Sequence, residues 1–298
     1  MGILRMNQAA DNKTGLASNK VQSSRKKEDW KKIILILVLF VGGLLFLYPF
    51  LWMISTSLKD NVEVYTRPLA LIPQIFKPAN YQRAFTLVPF GRFYLNTIIM
   101  TLGRVCGQVL LAAMAAYSFA RLKFPGKNFL FIMVLGVMMV PSMVSFIPRF
   151  IMMMKLGWLD TYWGLIIPGL GDAFGVFLLR QFFLTIPQDL IDASVMDGCN
   201  PFQTFLKVAL PLSRAALAAY GFLVVLWTWN DFLWPLIIAT RTKMLTISLG
   251  IQLFQNQYSQ DIPAMMAAAS ISILPMTILF LFAQRYIIEG ITMSGLKF

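Results

Sequence analysis

The chain is predicted to be an all-α polytopic membrane protein, on three observations. Of its 298 residues, 58% are hydrophobic and 13% charged, whereas soluble globular domains run at about 45–50% apolar and roughly 25% charged. The apolar residues come in blocks of about 20, the length that crosses a hydrocarbon core of ~30 Å as a helix. Within those blocks apolar and polar residues do not alternate, as they would along the strands of a transmembrane barrel.

Residues 1–32 are polar and end in the cluster Arg25, Lys26, Lys27, Lys31 and Lys32. They read as a disordered cytoplasmic tail closed by a basic anchor at the membrane surface. Residues 33–58 carry no charge. That run is too long for a signal-peptide core, so it is the first transmembrane helix and is retained. Residues 59–92 form an extracytoplasmic segment. Pro68, Pro73, Pro78 and Pro89 make it mostly loop, with a short helix near Asn80–Phe85.

Residues 93–286 form a core of five further transmembrane helices, over about 93–120, 128–147, 162–184, 213–238 and 263–286. They are joined by the basic turn Arg121–Lys127, the connector Pro148–Asp160, the loop 185–212 and the polar loop 239–262. Residues 287–298 are a short C-terminal tail. Six helices put both ends on one side. An N-in, C-in arrangement collects the basic tail, Arg121, Lys123, Lys127, Arg180, Lys207, Arg214, Arg285 and Lys297 in the cytoplasm, as the positive-inside rule requires. A multi-pass location in a membrane is expected.

Several chemistries are excluded. The chain has no histidine, so it carries no His-based triad, His–zinc site or imidazole relay. Its two cysteines, Cys106 and Cys199, lie in different segments and form no metal cluster. No G-x-x-x-x-G-K-[ST] motif is present, so the chain has no P-loop with which to hydrolyse nucleotide. The net charge of +13 follows from membrane topology and implies no nucleic-acid partner.

The longest polar interruption of the second half is Ile186–Arg214. It reads as two short helices about a tight turn. Pro187 suits a first helical position and Asp189 puts negative charge in the first turn. Gly198 is placed to end that helix in a left-handed conformation. Asn200 is an N-cap with Pro201 at N1 of the next helix. Phe202, Phe205, Leu206 and Ala209 then fall at i, i+3, i+4 and i+7, an apolar face, and Pro211 stops the helix. That face needs the bilayer surface, the chain's own bundle or a partner protein. Asp192 and Asp197 serve as helix and turn acids, with no second catalytic group near them in sequence.

Intramembrane polar residues mark a second region. Arg104 and Asp172 each lie some 15 Å below the outer surface by helical rise, and a lone charge there costs at least about 2.5–3.5 kcal/mol. Equal depth and opposite sign point to a common polar site, by direct pairing or by lining one path. The alternative is separate partners for each. Asn230 and Asp231, a polar pair at a span end, line a cavity on the same reasoning. Trp227, Trp229 and Trp234 belong either to the interfacial aromatic belt or to a ligand-stacking surface.

The stretch D-A-S-V-M-D-G-C-N-P-F-Q-T-F-L-K-V-A-L-P (Asp192–Pro211) resembles the E-A-A-x-x-D-G-A-x5-F-x-x-I-x-L-P signature of binding-protein-dependent ABC importer permeases, with unbroken spacing. Asp192 stands for the family's Glu and Cys199 for its usual Ala. A-Y-S-F-A-R-L-K-F-P-G-K (Ala116–Lys127), G-L-I-I-P (Gly164–Pro168), F-L-L-R-Q-F-F (Phe177–Phe183), W-N-D-F-L-W-P-L (Trp229–Leu236) and Q-R-Y-I-I-E-G (Gln284–Gly290) are similar to the maltose-type, carbohydrate-uptake subfamily, and within it to the second membrane subunit.

The resemblance implies the type I ABC importer permease fold, in the bacterial cytoplasmic (inner) membrane. It implies a second homologous permease, two ATP-binding cassette ATPases that hold ATP and Mg, an extracytoplasmic sugar-binding lipoprotein or periplasmic protein, and membrane lipid around them. This chain binds no cofactor of its own and is not an enzyme. The loop becomes a coupling helix for the ATPases, carried by Asp192, Ala193, Ser194, Asp197, Gly198, Cys199, Phe202, Phe205, Leu206 and Pro211. Arg104, Asp172, Trp227, Trp229, Asn230 and Asp231 become candidates for the translocation path. The implied cargo is a sugar, an oligosaccharide first, with glycerol phosphate or a polyol as the alternative. Of other classes, a membrane-embedded enzyme lacks clustered acids or histidine. A non-transporting scaffold gives no reason for Arg104, Asp172 and Asp231 inside the membrane.

Overall fold

The computed structural model describes residues 30–258 and 260–284. The described residues are helical and contain no strand. The basic tail therefore lies outside them up to residue 29, as does the C-terminal tail 287–298. Trp30–Lys32, read as tail, already belong to the first helix.

Three helices are long and apolar enough to cross a membrane unbroken: α1 (Trp30–Ser57), α4 (Phe90–Arg121) and α14 (Ile262–Gln284). Between α1 and α4 lie α2 (Asn61–Thr66) and α3 (Ala79–Leu87). The segment 59–92 is more built than its prolines imply. Lys77 bridges to Asp60 at 2.7 Å, and Asn80 Nδ2 donates to the Ser57 and Lys59 carbonyls at 2.9 and 2.8 Å.

The remaining spans are broken. α5 (Lys127–Met139) meets α6 (Phe146–Lys155) through a tight 3₁₀ turn at Ser142–Ser145, with a bend of 96°. The expected connector from Pro148 is thus largely helix. Pro141 removes a backbone donor at the break and lets the chain turn aside. The next pair, α7 (Tyr162–Ile166, extended by a 3₁₀ turn to Gly169) and α8 (Ala173–Thr185), is bent by 48°. The loop 185–212 holds α9 (Gln188–Met196) and α10 (Pro201–Leu212). α10 joins α11 (Arg214–Trp229) at 80°, and α12 (Leu233–Ile238) follows after a gap at 230–232. Counting each bent pair as one span gives up to six.

The polar loop 239–262 is also corrected, because it contains α13 (Ile247–Gln257). Ile247, Leu249, Gly250 and Phe254 are buried there, and the Phe93 ring lies against Gly250.

α4 is the central strut. Its Ala112, Ala113 and Ala116 lie under α8 and α11, where small side chains let helices approach closely. Toward its start, Phe90 and Phe93 join Trp229, Phe254 and α14 alanines in a second cluster. The two ends of the bundle are distinct. At one end Arg83 bridges to Asp261 at 2.6 Å, Asn96 donates to the Lys243 and Leu245 carbonyls, and Asp160 accepts from the Thr240 and Arg241 amides. At the other end the Arg121 turn meets the chain at Phe183–Ile186. α1 leans on α14 and leaves most of its apolar surface open.

Candidate functional site

Two regions are built from the residues singled out above. The first is the loop 185–212, pinned by Arg121 at the end of α4. Its guanidinium donates to the Phe183 carbonyl from Nε at 2.9 Å and Nη2 at 2.6 Å, to the Ile186 carbonyl, and to Gln188 Oε1 at 2.8 Å. Gln188 Nε2 passes the contact on to Asp192 at 2.9 Å. Five donors in a planar fork suit this task. Pro187 occupies the N-cap position of α9 and not its first turn. Gly198 ends the helix at φ 82° with open space around its α-carbon. A β-branched residue there meets backbone strain alone, about 1–2 kcal/mol.

α10 begins in a complete capping box: Asn200 Oδ1 accepts from the Gln203 amide at 2.8 Å, and Gln203 Oε1 from the Asn200 amide at 2.9 Å. Pro211 does not end the helix at once. A π-helical turn over Phe205–Ala209 leads into Leu210–Leu212, wider hydrogen bonding that accommodates a helix under local constraint.

The loop's apolar residues divide between two faces. Phe205 is 2% exposed and turns into the bundle, with ring centroids 5.2 Å from Tyr117 and 6.4 Å from Phe183. Ser194 is buried with it and shares a 2.9 Å hydrogen bond with Thr204, which ties α9 to α10. The sequence expectation that Phe205 offers a docking face is therefore corrected. Helical spacing put Phe202 and Phe205 on one stripe and their ring centroids do lie 6.3 Å apart, but the bundle covers Phe205 and leaves Phe202 at its open edge. Met196, Val195, Phe202 and Leu206 are 87%, 58%, 57% and 45% exposed. Asp192, Ala193, Asp197, Gly198 and Pro211 are exposed beside them, and Cys199 is half-buried.

The second region is a cavity of about 480 Å³. Ser142, Gly169 and Asn230–Phe232 all line it, so the breaks between α5 and α6, α7 and α8, and α11 and α12 reach it, whereas the bend at Ser213 does not. Irregular backbone is tolerated at membrane depth where it lines such a space. Arg104 is its anchor. Nε donates to the Leu165 carbonyl at 2.9 Å and Nη1 to Asp231 Oδ2 at 2.8 Å. Gln108, one turn along α4, donates to the Gly169 carbonyl.

Direct pairing of Arg104 with Asp172 is not what forms, and the alternative of separate partners holds. Asp172 is the N-cap of α8: its oxygens accept from the Phe174 and Gly175 amides and from the Tyr220 hydroxyl at 2.6 Å. Tyr220 in turn lies so close to Gly175 that a Cβ there would overlap its ring. The break between α7 and α8 uses the carboxylate locally.

Asn230 and Asp231 join Arg104 at the cavity. Trp229 is buried away from it, donating from Nε1 to the Ser272 carbonyl at 3.1 Å and edge-on to Tyr94. Trp227 is exposed and packs edge-on to Phe174. Neither touches the Arg104 cavity, although Trp229 and Asn230 line a smaller one of about 220 Å³ beside α13 and α14. Of the tryptophans singled out, Trp234 alone lines the larger cavity; sequence reasoning missed Arg149 and Phe146, which line it too. The signal was present, because Arg149 is the one charge in Asn128–Met154. Arg121 was read as topology and is also the anchor of the loop.

Residues 108–292 match the family model described as a binding-protein-dependent transport system inner membrane component. The chain is 33% identical over 269 residues to the arabinooligosaccharides transport system permease protein AraQ of Bacillus subtilis, covering 89% of this chain and 96% of that one. It is 31% identical to the sn-glycerol-3-phosphate transport system permease protein UgpE of Pectobacterium atrosepticum, over 86% and 94% of the two chains. Among solved structures, a chain of a bacterial ABC transporter involved in the import of the acidic polysaccharide alginate superposes with a TM-score of 0.76 at 24% identity, over 85% of this chain and 95% of that one.

Proposed function

The chain belongs to the family of binding-protein-dependent transport system inner membrane components, and from that premise we propose that it is a permease subunit of an ATP-driven saccharide importer. It forms half of the path and works with a second permease, two ATPases and an extracytoplasmic binding protein. An oligosaccharide is the first candidate for cargo, as in the name of the arabinooligosaccharide relative. A glycerol phosphate or polyol is the second, as in that of UgpE.

The observation that carries this reading is the loop 185–212. It has a rigid inner side held by Arg121, Ser194–Thr204 and Phe205, and an apolar outer side of Met196, Phe202 and Leu206. A helix whose outer face is apolar fits a groove on a partner. ATP-driven approach of the two ATPases would carry two such loops together. The broken spans behind them would then turn as bodies about their breaks. The chain itself takes no part in hydrolysis, and ATP and Mg sit on the ATPases.

The test is uptake by proteoliposomes holding the complete complex, against a panel of saccharides, with ATP on the ATPase side. ATP-dependent accumulation of a saccharide is the expected result. ATP hydrolysis by this subunit purified alone, or hydrolysis by the complex with no accumulation of any saccharide, polyol or glycerol phosphate, would contradict the reading.

Six spans with N-in, C-in orientation follow from the positive-inside count. Segments 59–92 and 241–262 then share the outer side, a reading supported by the Arg83–Asp261 bridge. Gln260 is exposed there. Gln260→Cys is expected to react with a membrane-impermeant maleimide on intact cells. Labelling only after lysis would invert the topology.

A further inference from the structure

The cavity at the helix breaks holds two guanidinium groups against one carboxylate. Asp231 pairs with Arg104: Oδ2 accepts from Arg104 at 2.8 Å and Oδ1 from the Trp234 amide at 3.3 Å. Arg149 has no carboxylate partner among the described residues. Its hydrogen bonds go to neutral oxygens of its own turn, Ser145 Oγ at 2.6 Å and the Ser142 and Ser145 carbonyls at 3.3 Å. Its guanidinium carbon lies 5.4 Å from the ring centroids of both Phe146 and Trp234. Aromatic faces orient a guanidinium plane without neutralising it.

One positive charge is therefore left uncompensated on the wall of a cavity about 480 Å³ in volume. In surroundings of low dielectric a lone cation is costly, and an anion entering the cavity relieves that cost. A neutral saccharide offers hydroxyls, which serve equally as donors and acceptors. A guanidinium is donor-only and matches the paired oxygens of a carboxylate or phosphate. The relatives' names do not decide the matter, since arabinooligosaccharides are neutral and sn-glycerol 3-phosphate is an anion.

We propose that Arg149 is a specificity-determining residue that pairs with an anionic group, carboxylate or phosphate, on the transported molecule, and that the permease favours acidic over neutral cargo. The proposal rests on the importer reading and narrows its substrate class. Arg104, already neutralised by Asp231, holds the cavity wall in place.

The test uses the complete complex in proteoliposomes with three radiolabelled probes: a glucuronate-containing disaccharide, its neutral glucose counterpart, and glycerol 3-phosphate. One of the two anions is expected to enter faster than the neutral probe, and which one identifies carboxylate or phosphate. Arg149→Leu is expected to lower the anion-to-neutral uptake ratio about tenfold, the scale of one charge-assisted contact. Arg149→Lys, which keeps charge and loses the fork, is expected to recover part of that ratio. Should Arg149→Leu fail to assemble, Arg149→Gln and the wild-type ratio decide. Faster uptake of the neutral disaccharide, or an unchanged ratio in the Arg149 variants, overturns this proposal and leaves the importer reading standing. Uptake of none of the three overturns this proposal. Failure across the wider saccharide and polyol panel overturns the importer reading as well.

Discussion

Asp231→Leu is expected to remove most of the folded, assembled complex from detergent extracts. Arg104 is 8% exposed in the middle of α4, and Asp231 supplies its counter-charge at 2.8 Å. Removing one partner of such a pair strands the other and costs about 3–5 kcal/mol. Removing both is far milder, because an apolar pair of similar volume can replace a buried ion pair at little cost. Arg104→Leu with Asp231→Leu should therefore recover much of the folded yield lost by either single change. The measurement is monodisperse yield and thermal midpoint across the four-member cycle. Asp172→Asn serves as a comparison. It weakens an N-cap and a Tyr220 contact, and its loss should add to that of Arg104→Leu without interaction. Additivity between Arg104 and Asp231, or rescue between Arg104 and Asp172, would show the pairing to be wrong.

Phe205→Ala and Phe202→Ala should separate, although the residues lie three apart. Phe205 fills the space under Tyr117 and Phe183. Truncating a buried Phe costs about 3–5 kcal/mol, so this variant is expected to lose folded protein. Phe202 lies on the open face, so Phe202→Ala is expected to fold normally and to lose ATPase association. The readouts are subunit yield and co-purification of the ATPase. Equal behaviour of the two variants in both would contradict the two-sided loop.

Much of this was legible in the chain itself. Local chemistry carried the loop: the left-handed Gly198, the Asn200 cap and Pro201 at N1 need no distant residue to act. The blocks of apolar residues marked where membrane-length helices lie. The breaks were less visible. Pro141 sits inside an apolar run, and the breaks at Leu170–Asp172 and Asn230–Phe232 depend on how three spans meet, which periodicity does not encode. Depth alone paired Arg104 with Asp172, whereas the break after Trp229 carries Asp231 to Arg104 from a residue 127 positions away. Phe205 was grouped with Phe202 on a docking face because helical spacing does not encode which part of an apolar stripe the chain's own bundle covers. The helix 247–257 was hidden by its glutamines, although Ile247, Gly250, Ile251 and Phe254 keep helical spacing.

The central claim is that the exposed face of the loop 185–212 docks on an ATPase and does not lie on the bilayer. A photo-crosslinking residue in place of Phe202, in the complete complex in lipid nanodiscs, tests it most directly. The expected product is a covalent adduct between this subunit and the ATPase that is lost when Arg121→Ala frees the loop. Adducts with lipid alone, with none to the ATPase, would contradict the account.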